Sequence, residues 1–220
     1  TPTNPTGGVL SEDTLKKLAD ICIQHDLMVI SDEVYERIVY DGVKAVSIAS
    51  LPGMKERTFT MNGFSKAYAM DGWRLGYVAA PEEWIKVLNK FHQHCATCAN
   101  HMTQVAAITA LRDEKDEVEK MVAEYKRRRD YAVKAINAIP GLSCTLPKGA
   151  FYILINCKKI NMDCEALAAW LLENAKIALV PGNVFGPGGE GYLRMSFATG
   201  YDDVVEGCRR LADGIAKLTK

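Results

Sequence analysis

The residues of this chain best suited to covalent chemistry are a lysine beside a serine and an arginine a short distance downstream. Lys66 lies in the run Asn62-Gly63-Phe64-Ser65-Lys66-Ala67-Tyr68-Ala69-Met70-Asp71-Gly72-Trp73-Arg74-Leu75-Gly76-Tyr77. A lysine on a Gly- and Ser-flanked turn between apolar runs is a candidate Schiff-base nucleophile. Its amine condenses with a carbonyl once it has lost its proton, and a neighbouring cation or desolvation promotes that loss. Arg74 supplies such a cation and has the fork geometry to hold a phosphate bidentately. Most lysines are solvated surface charges, so the pair acquires meaning only from the rest of the chain.

Other segments carry candidate chemistry. Leu27-Met28-Val29-Ile30-Ser31-Asp32-Glu33 is an apolar run closing on an acidic pair. In open α/β sheets ligands sit beyond the C-terminal ends of strands, where Asp32 falls. An ATPase reading would need G-x-x-x-x-G-K-[ST], which the sequence lacks. Read locally, Asp32 is also an ordinary acidic strand exit. Asn4-Pro5-Thr6-Gly7-Gly8 reads as a turn. Arg194, in a strand-like stretch, is either a surface cation or a fork for a substrate carboxylate. Gly186-Pro187-Gly188-Gly189-Glu190-Gly191 matches G-x-G-x-x-G, but the alternating stretch after it is a strand rather than the helix a dinucleotide site needs, so it reads as a loop. His92, His94, Cys95, Cys98 and His101 contain one C-x-x-C without a second paired set, which is a poor zinc signature. No metal is expected.

These residues must be positioned by ordered elements, and the composition allows it. The chain has 220 residues, of which 48% are hydrophobic, enough for one large domain or two small ones. Lys plus Arg and Asp plus Glu number 27 each, so no global field draws nucleic acid or anionic lipid. The basic cluster Lys126-Arg127-Arg128-Arg129 sits among Glu119, Glu124 and Asp130 and reads as a solvated helix face. No apolar run approaches the roughly 18 residues of a membrane span, and no charged-then-apolar leader is present. Seven scattered cysteines suit reduced thiols in a cytoplasmic protein. The chain opens on Thr1 directly before a motif, which suggests a start inside a longer protein.

The spacing of apolar residues predicts a helix over 11–25, capped by Ser11, with Leu15, Leu18, Ala19 and Cys22 on one face. The run 27–30 reads as a buried parallel strand, with further strands over 58–61 and 75–80. Helices follow over 82–92, 101–112 and about 114–138, stopped by Pro140-Gly141. Strands over 143–146 and 150–155, a helix over 164–174, strands over 177–180 and 191–197 and a helix over about 202–218 complete the chain. The pattern is a parallel α/β segment followed by a smaller α+β segment, the change falling within residues 115–140.

Together these pieces resemble the fold-type I, class I and II pyridoxal-phosphate aminotransferases, of the aspartate, aromatic and alanine type. The resemblance covers essentially the whole chain. It rests on Asn-Pro-Thr-Gly at 4–7, Ser-Asp-Glu-Val-Tyr at 31–35, Ser-Lys at 65–66 with Gly-Trp-Arg-Leu-Gly at 72–76, Lys-Gly-Ala-Phe-Tyr at 148–152 and Leu-Arg-Met-Ser-Phe at 193–197. It implies that residues 1–125 are the C-terminal part of the large cofactor-binding domain and 126–220 the small α+β domain. It implies a pyridoxal 5′-phosphate enzyme moving an α-amino group between an L-amino acid and a 2-oxo acid. Lys66 would form the aldimine and carry the proton, Asp32 would pair with the pyridine nitrogen, and Asn4 and Tyr35 would bond the ring 3-oxygen. Ser65 and Arg74 would hold the phosphate, and Arg194, with Asn4, the substrate carboxylate. A carbon–sulfur β-lyase on the same scaffold and a non-catalytic ligand-sensing module are the competing readings. Two departures stand out. Gly63 occupies a place where the family usually has a serine, and no arginine lies between 75 and 111, where an aspartate-specific branch carries one. The family forms its site at a homodimer interface, with Cys95–His101 implied to lie close to the neighbouring subunit. It also has a further segment before Asn-Pro-Thr-Gly that supplies the ring-stacking aromatic.

Overall fold

The computed structural model describes residues 1–218. The chain forms two compact units. Thr1–Pro2 and Val9–Met121 make the first; Thr3–Gly8 and the residues from Val122 onward make the second.

The first unit opens with helix α1 (Glu12–Gln24), whose N-cap Ser11 accepts from the Thr14 amide and whose first turn carries Glu12 and Asp13. Both features complement the unpaired amides and positive end of a helix N-terminus. Leu15 and Ala19 are buried with Ile48, Leu51 and Met54, and Cys22 packs against them. Leu18, expected on the same face, is exposed. Strand β1 (Val29–Asp32) pairs in parallel with β2 (Thr58–Gly63), and β2 pairs antiparallel with β3 (Gly76–Ala79). The three-stranded order is β1-β2-β3. Two expectations change here. The apolar run enters its strand two residues later than its composition suggests, because Leu27 N still donates to Cys22 O in the turn that ends α1. Moreover β1 is not buried: Ile30 is 72% exposed, on an edge strand of the sheet. β3 is also the strand that breaks the parallel pattern. Helices α2 (Glu82–Cys95) and α3 (His101–Asp113) follow, α3 capped by the Asn100 side chain. Helix α4 (Lys115–Asn137) begins in this unit.

The second unit contains a four-stranded antiparallel sheet in the order β4-β5-β7-β6, comprising β4 (Ser143–Cys144), β5 (Tyr152–Asn156), β6 (Val180–Pro181) and β7 (Tyr192–Ser196). Period-2 alternation sends Ile153, Ile155, Leu193 and Met195 into the core, where all are buried. The helices supply Ala132 and Ile136 from α4, Leu167 and Leu171 from α5 (Cys164–Ala175), and Cys208, Leu211 and Ile215 from α6 (Tyr201–Leu218). The expected strand over 177–180 shrinks to β6. Ile177 N bonds back to Leu171 O, and Lys176 takes a left-handed conformation as the C-cap of α5, so the chain is still leaving the helix there.

The basic cluster divides by partner. Lys126 pairs with Asp130 and Arg127 with Glu124 on the surface. Arg129 does not belong to a solvated face: it is 1% exposed, donating from Nε to Asp130 Oδ1 at 2.9 Å and from Nη1 to the Pro147 carbonyl at 3.0 Å. A buried guanidinium persists only when its donors find such partners. Among the described residues no helix is long and apolar enough to cross a membrane.

Candidate active site

The sheet register of the first unit decides where its polar residues fall. Asp32 ends β1, opposite Met61 of β2. β2 ends at Gly63, opposite Gly76, where β3 begins. The C-terminal ends of two parallel strands and the start of their antiparallel neighbour therefore share one edge. Asp32, the 64–70 loop and Arg74 all emerge there.

The loop holding Lys66 is closed at its base: Met70 N donates to Phe64 O at 3.1 Å and Phe64 N to Leu75 O at 3.2 Å. Phe64 is buried in a cluster with Ala107 and Ala110 of α3, and Ala67 is buried as well. Lys66 is bracketed by these two anchors, and Ser65 precedes it on the same turn; both are half-buried. Arg74 adopts a left-handed backbone at the end of the short 3-10 turn Asp71–Trp73, and its Nη1 donates to the Asp71 carbonyl at 2.7 Å. That bond fixes the side chain against its own turn. No carboxylate pairs with it among the described residues.

Asp32 is exposed, and its Oδ1 accepts the Val34 amide at 3.1 Å. This local bond orients the carboxylate and leaves Oδ2 as an acceptor. Tyr35 is buried just beyond it. Gly63 stands where the resemblance leads one to expect a serine. A Cβ there would lie 3.3 Å from the Leu75 carbonyl oxygen and 3.5 Å from Gly76 Cα, so a side chain would need the facing backbone to give by a few tenths of an ångström.

In the second unit Arg194 sits on β7, opposite Leu154 of β5. Its Nη1 donates to Asn4 Oδ1 at 2.9 Å. That bond sets the orientation of the Asn4 amide and leaves Nδ2 as a donor. Asn4 is held in turn by the 3–8 loop, where Thr3 N donates to Gly8 O and Gly7 N to Thr3 O. Gly7 is at φ +65°, and a Cβ on it would meet Pro147 Cβ at 2.5 Å and the Gly149 carbonyl at 2.8 Å, so glycine is required. Two rings pack on the Arg194 guanidinium, its Cζ lying 4.5 Å from the Tyr152 centroid and 4.9 Å from that of Phe185. Its Nε is buried with no hydrogen-bond partner, an unusual state for a buried donor.

Neither ring was assigned a role from sequence. Tyr152 falls inside the Lys-Gly-Ala-Phe-Tyr motif, and its even spacing from Leu154 puts it on the Arg194 face of the sheet. Phe185 lies in the loop after β6, and no periodicity announces it. The histidines and cysteines near position 95 span the end of α2 and the start of α3. Among the described residues no group of three metal-ligating side chains converges.

The donor set fits pyridoxal phosphate. A carboxylate, a lysine amine, a serine hydroxyl and an arginine at one sheet edge match a ring nitrogen, an aldehyde and a phosphate. Comparison with known proteins agrees with this chemistry. The family described as "Aminotransferase class I and II" matches residues 1–211, and the chain belongs to that family. It is 50% identical over 212 residues to an aspartate aminotransferase of Pyrococcus abyssi, covering 96% of this chain and 54% of the relative. It superposes with a TM-score of 0.96 on the crystal structure of an aromatic aminotransferase from Pyrococcus horikoshii, at 46% identity, covering 99% of this chain and 58% of that one. A PLP-bound structure from Clostridium difficile gives a TM-score of 0.92 at 29% identity, covering 98% and 57%. The chain spans about half the length of the curated relatives it matches.

Proposed function

We propose that the whole protein transfers an α-amino group between an L-amino acid and a 2-oxo acid, using pyridoxal 5′-phosphate. The observation that carries this reading is the gathering of Asp32, Ser65, Lys66 and Arg74 at one edge of the first unit's sheet. When bound, the cofactor supplies an aldehyde for the amino group and a ring that accepts electrons from the substrate Cα. Asp32 Oδ2 would accept the pyridinium N–H and hold the proton on that nitrogen. Ser65 and Arg74 would hold the phosphate, Arg74 by charge and by donors already aimed by its bond to Asp71. Lys66 Nζ would hold the cofactor and later take the proton from the substrate Cα. Asn4 Nδ2 and the Tyr35 hydroxyl would donate to the ring 3-oxygen, and Arg194, with Asn4, would grip the substrate carboxylate.

On this reading, residues 1–125 are the C-terminal part of the large cofactor domain and 126–220 the small domain. The protein would act as a homodimer in the cytoplasm, where seven free thiols suit the reducing compartment. The names of its relatives put aspartate and aromatic amino acids first among donors to assay.

The test is covalent mapping in the full-length protein. Borohydride reduction should fix the cofactor to Lys66, and Lys66→Ala should abolish amino transfer. An adduct on another lysine, or none in protein shown to contain cofactor, would remove the central assignment.

A further inference from the structure

We infer that Phe185 is a positioning residue for Arg194, fixing the plane in which the guanidinium receives a carboxylate. The inference rests on the reading of Arg194 as the carboxylate fork. It starts from how little else orients that side chain. Among the described residues no carboxylate pairs with Arg194, and its one hydrogen bond is Nη1 to Asn4 Oδ1. Held by that bond at Nη1 and by its own chain at Nε, the group can still tilt about the line joining the two. The two rings restrict that tilt, with Tyr152 and Phe185 packed against the guanidinium carbon at 4.5 and 4.9 Å. Stacking of this kind is attractive electrostatically and confines the plane. A carboxylate then meets its donors in plane, the geometry in which paired N–H···O bonds are strongest.

The two rings are supported differently. Tyr152 is buried on β5 and packs on Phe151, with ring centroids 4.7 Å apart. Phe185 is 38% exposed and belongs to the loop from Gly182 to Gly191. That loop is pinned at both ends. Asn183 Nδ2 donates to Glu165 Oε1 at 2.9 Å. Glu190 Oε1 accepts the amides of Cys164 and Gly191, each at 3.1 Å, and Oε2 accepts the Cys164 thiol at 3.2 Å. Gly182 and Gly189 approach so closely that a Cβ on either would collide with backbone of the other. These contacts hold the Phe185 ring against an arginine whose Nε is buried without a hydrogen-bond partner.

The experiment uses full-length protein loaded with cofactor and two substitutions. Phe185→Leu keeps apolar volume and removes the ring; Phe185→Tyr keeps the ring. Propionate serves as an unreactive carboxylate probe, with affinity read from the Arg194 15Nε–H NMR signal and from calorimetry. Phe185→Leu should weaken propionate binding and raise KM for every amino donor alike, by about 5- to 10-fold. The cofactor absorbance, cofactor affinity and Tm should not move, and Phe185→Tyr should restore wild-type affinity. Unchanged propionate affinity in Phe185→Leu would overturn the inference. So would an equal loss in Phe185→Tyr, or a loss that tracks a fall in Tm. Arg194→Lys separates the two claims. If it too leaves propionate binding intact, the carboxylate role of Arg194 has failed. If it abolishes binding while Phe185→Leu is silent, only the role of Phe185 has failed.

Discussion

Asp32 is the residue whose role is most separable from its structural duty. Its side chain is exposed and makes one local bond, to the Val34 amide. Losing that bond should cost about 1 kcal/mol of stability. Losing the charge proposed to face the ring nitrogen should cost far more in rate. Asp32→Ala is therefore expected to fold and to slow the first half-reaction by at least about 100-fold, or about 2.7 kcal/mol of barrier. Single-turnover absorbance in the full-length protein measures this, and a cofactor-loaded variant with near-normal rates would contradict the role. At this scale the sequence was informative because the polar candidates sit in compact motifs whose strand or turn context is local. Asp32 follows its apolar run directly, and Lys66 lies between Phe64 and Ala67, the two anchors that become buried. Phe185 was not legible in the same way, because its meaning depends on a loop clamp built by Glu165, Cys164 and two facing glycines. Arg129 was misread for a related reason: its buried partner, the Pro147 carbonyl, lies 18 residues away.

At the scale of elements, the helices were the most legible part of the chain, since capping residues and 3.6-residue periodicity mark them directly. Strand edges were less so. β1 looked buried because its residues are apolar, yet a strand's burial is decided by neighbours that its own sequence does not contain. The elements of the second unit carry a separate prediction. Burial pushes the Cys157 thiol up to about 11, and burial likewise pushes Cys208 to about 11, from an ordinary value of 9.0. A thiol that stays protonated in the fold but ionises when unfolded stabilises fully below the unfolded pKa. That contribution is lost as pH rises through the folded value. The second unit should therefore weaken between about pH 9 and 11. Replacing both thiols, as Cys157→Ala with Cys208→Ala, should make this alkaline loss shallower while lowering stability at pH 7 through the small cavities left. Urea midpoints across the range check it, and parallel curves for the two proteins would rule out these two thiols as the source.

At the scale of the whole molecule, the first unit presents large apolar side chains to solvent from several of its elements. Ile30 on β1 is 72% exposed, Phe91 on α2 71% and Met102 on α3 74%. Leu27, Met28, Val87, Val105 and Ile108 are exposed too. β1 and β3 each pair on one side only within the sheet, and an unpaired strand edge beside apolar surface is a template for association. Residues 1–220 expressed by themselves are thus expected to self-associate and to bind a hydrophobic dye. They should hold pyridoxal phosphate weakly and turn over slowly, because association through these faces disturbs the sheet edge that carries Lys66, and a displacement of about 1 Å can cost on the order of 100-fold in rate. Sedimentation, dye fluorescence, cofactor absorbance and amino transfer on this segment measure all four. Charged substitutions that leave the core untouched, such as Ile30→Lys with Phe91→Glu, should reduce the association, although surface repulsion adds no group to the site. A monomer of 24.3 kDa that binds no dye and turns over amino donors at full rate would show that these faces need no cover and that the edge holding Lys66 is complete without further support.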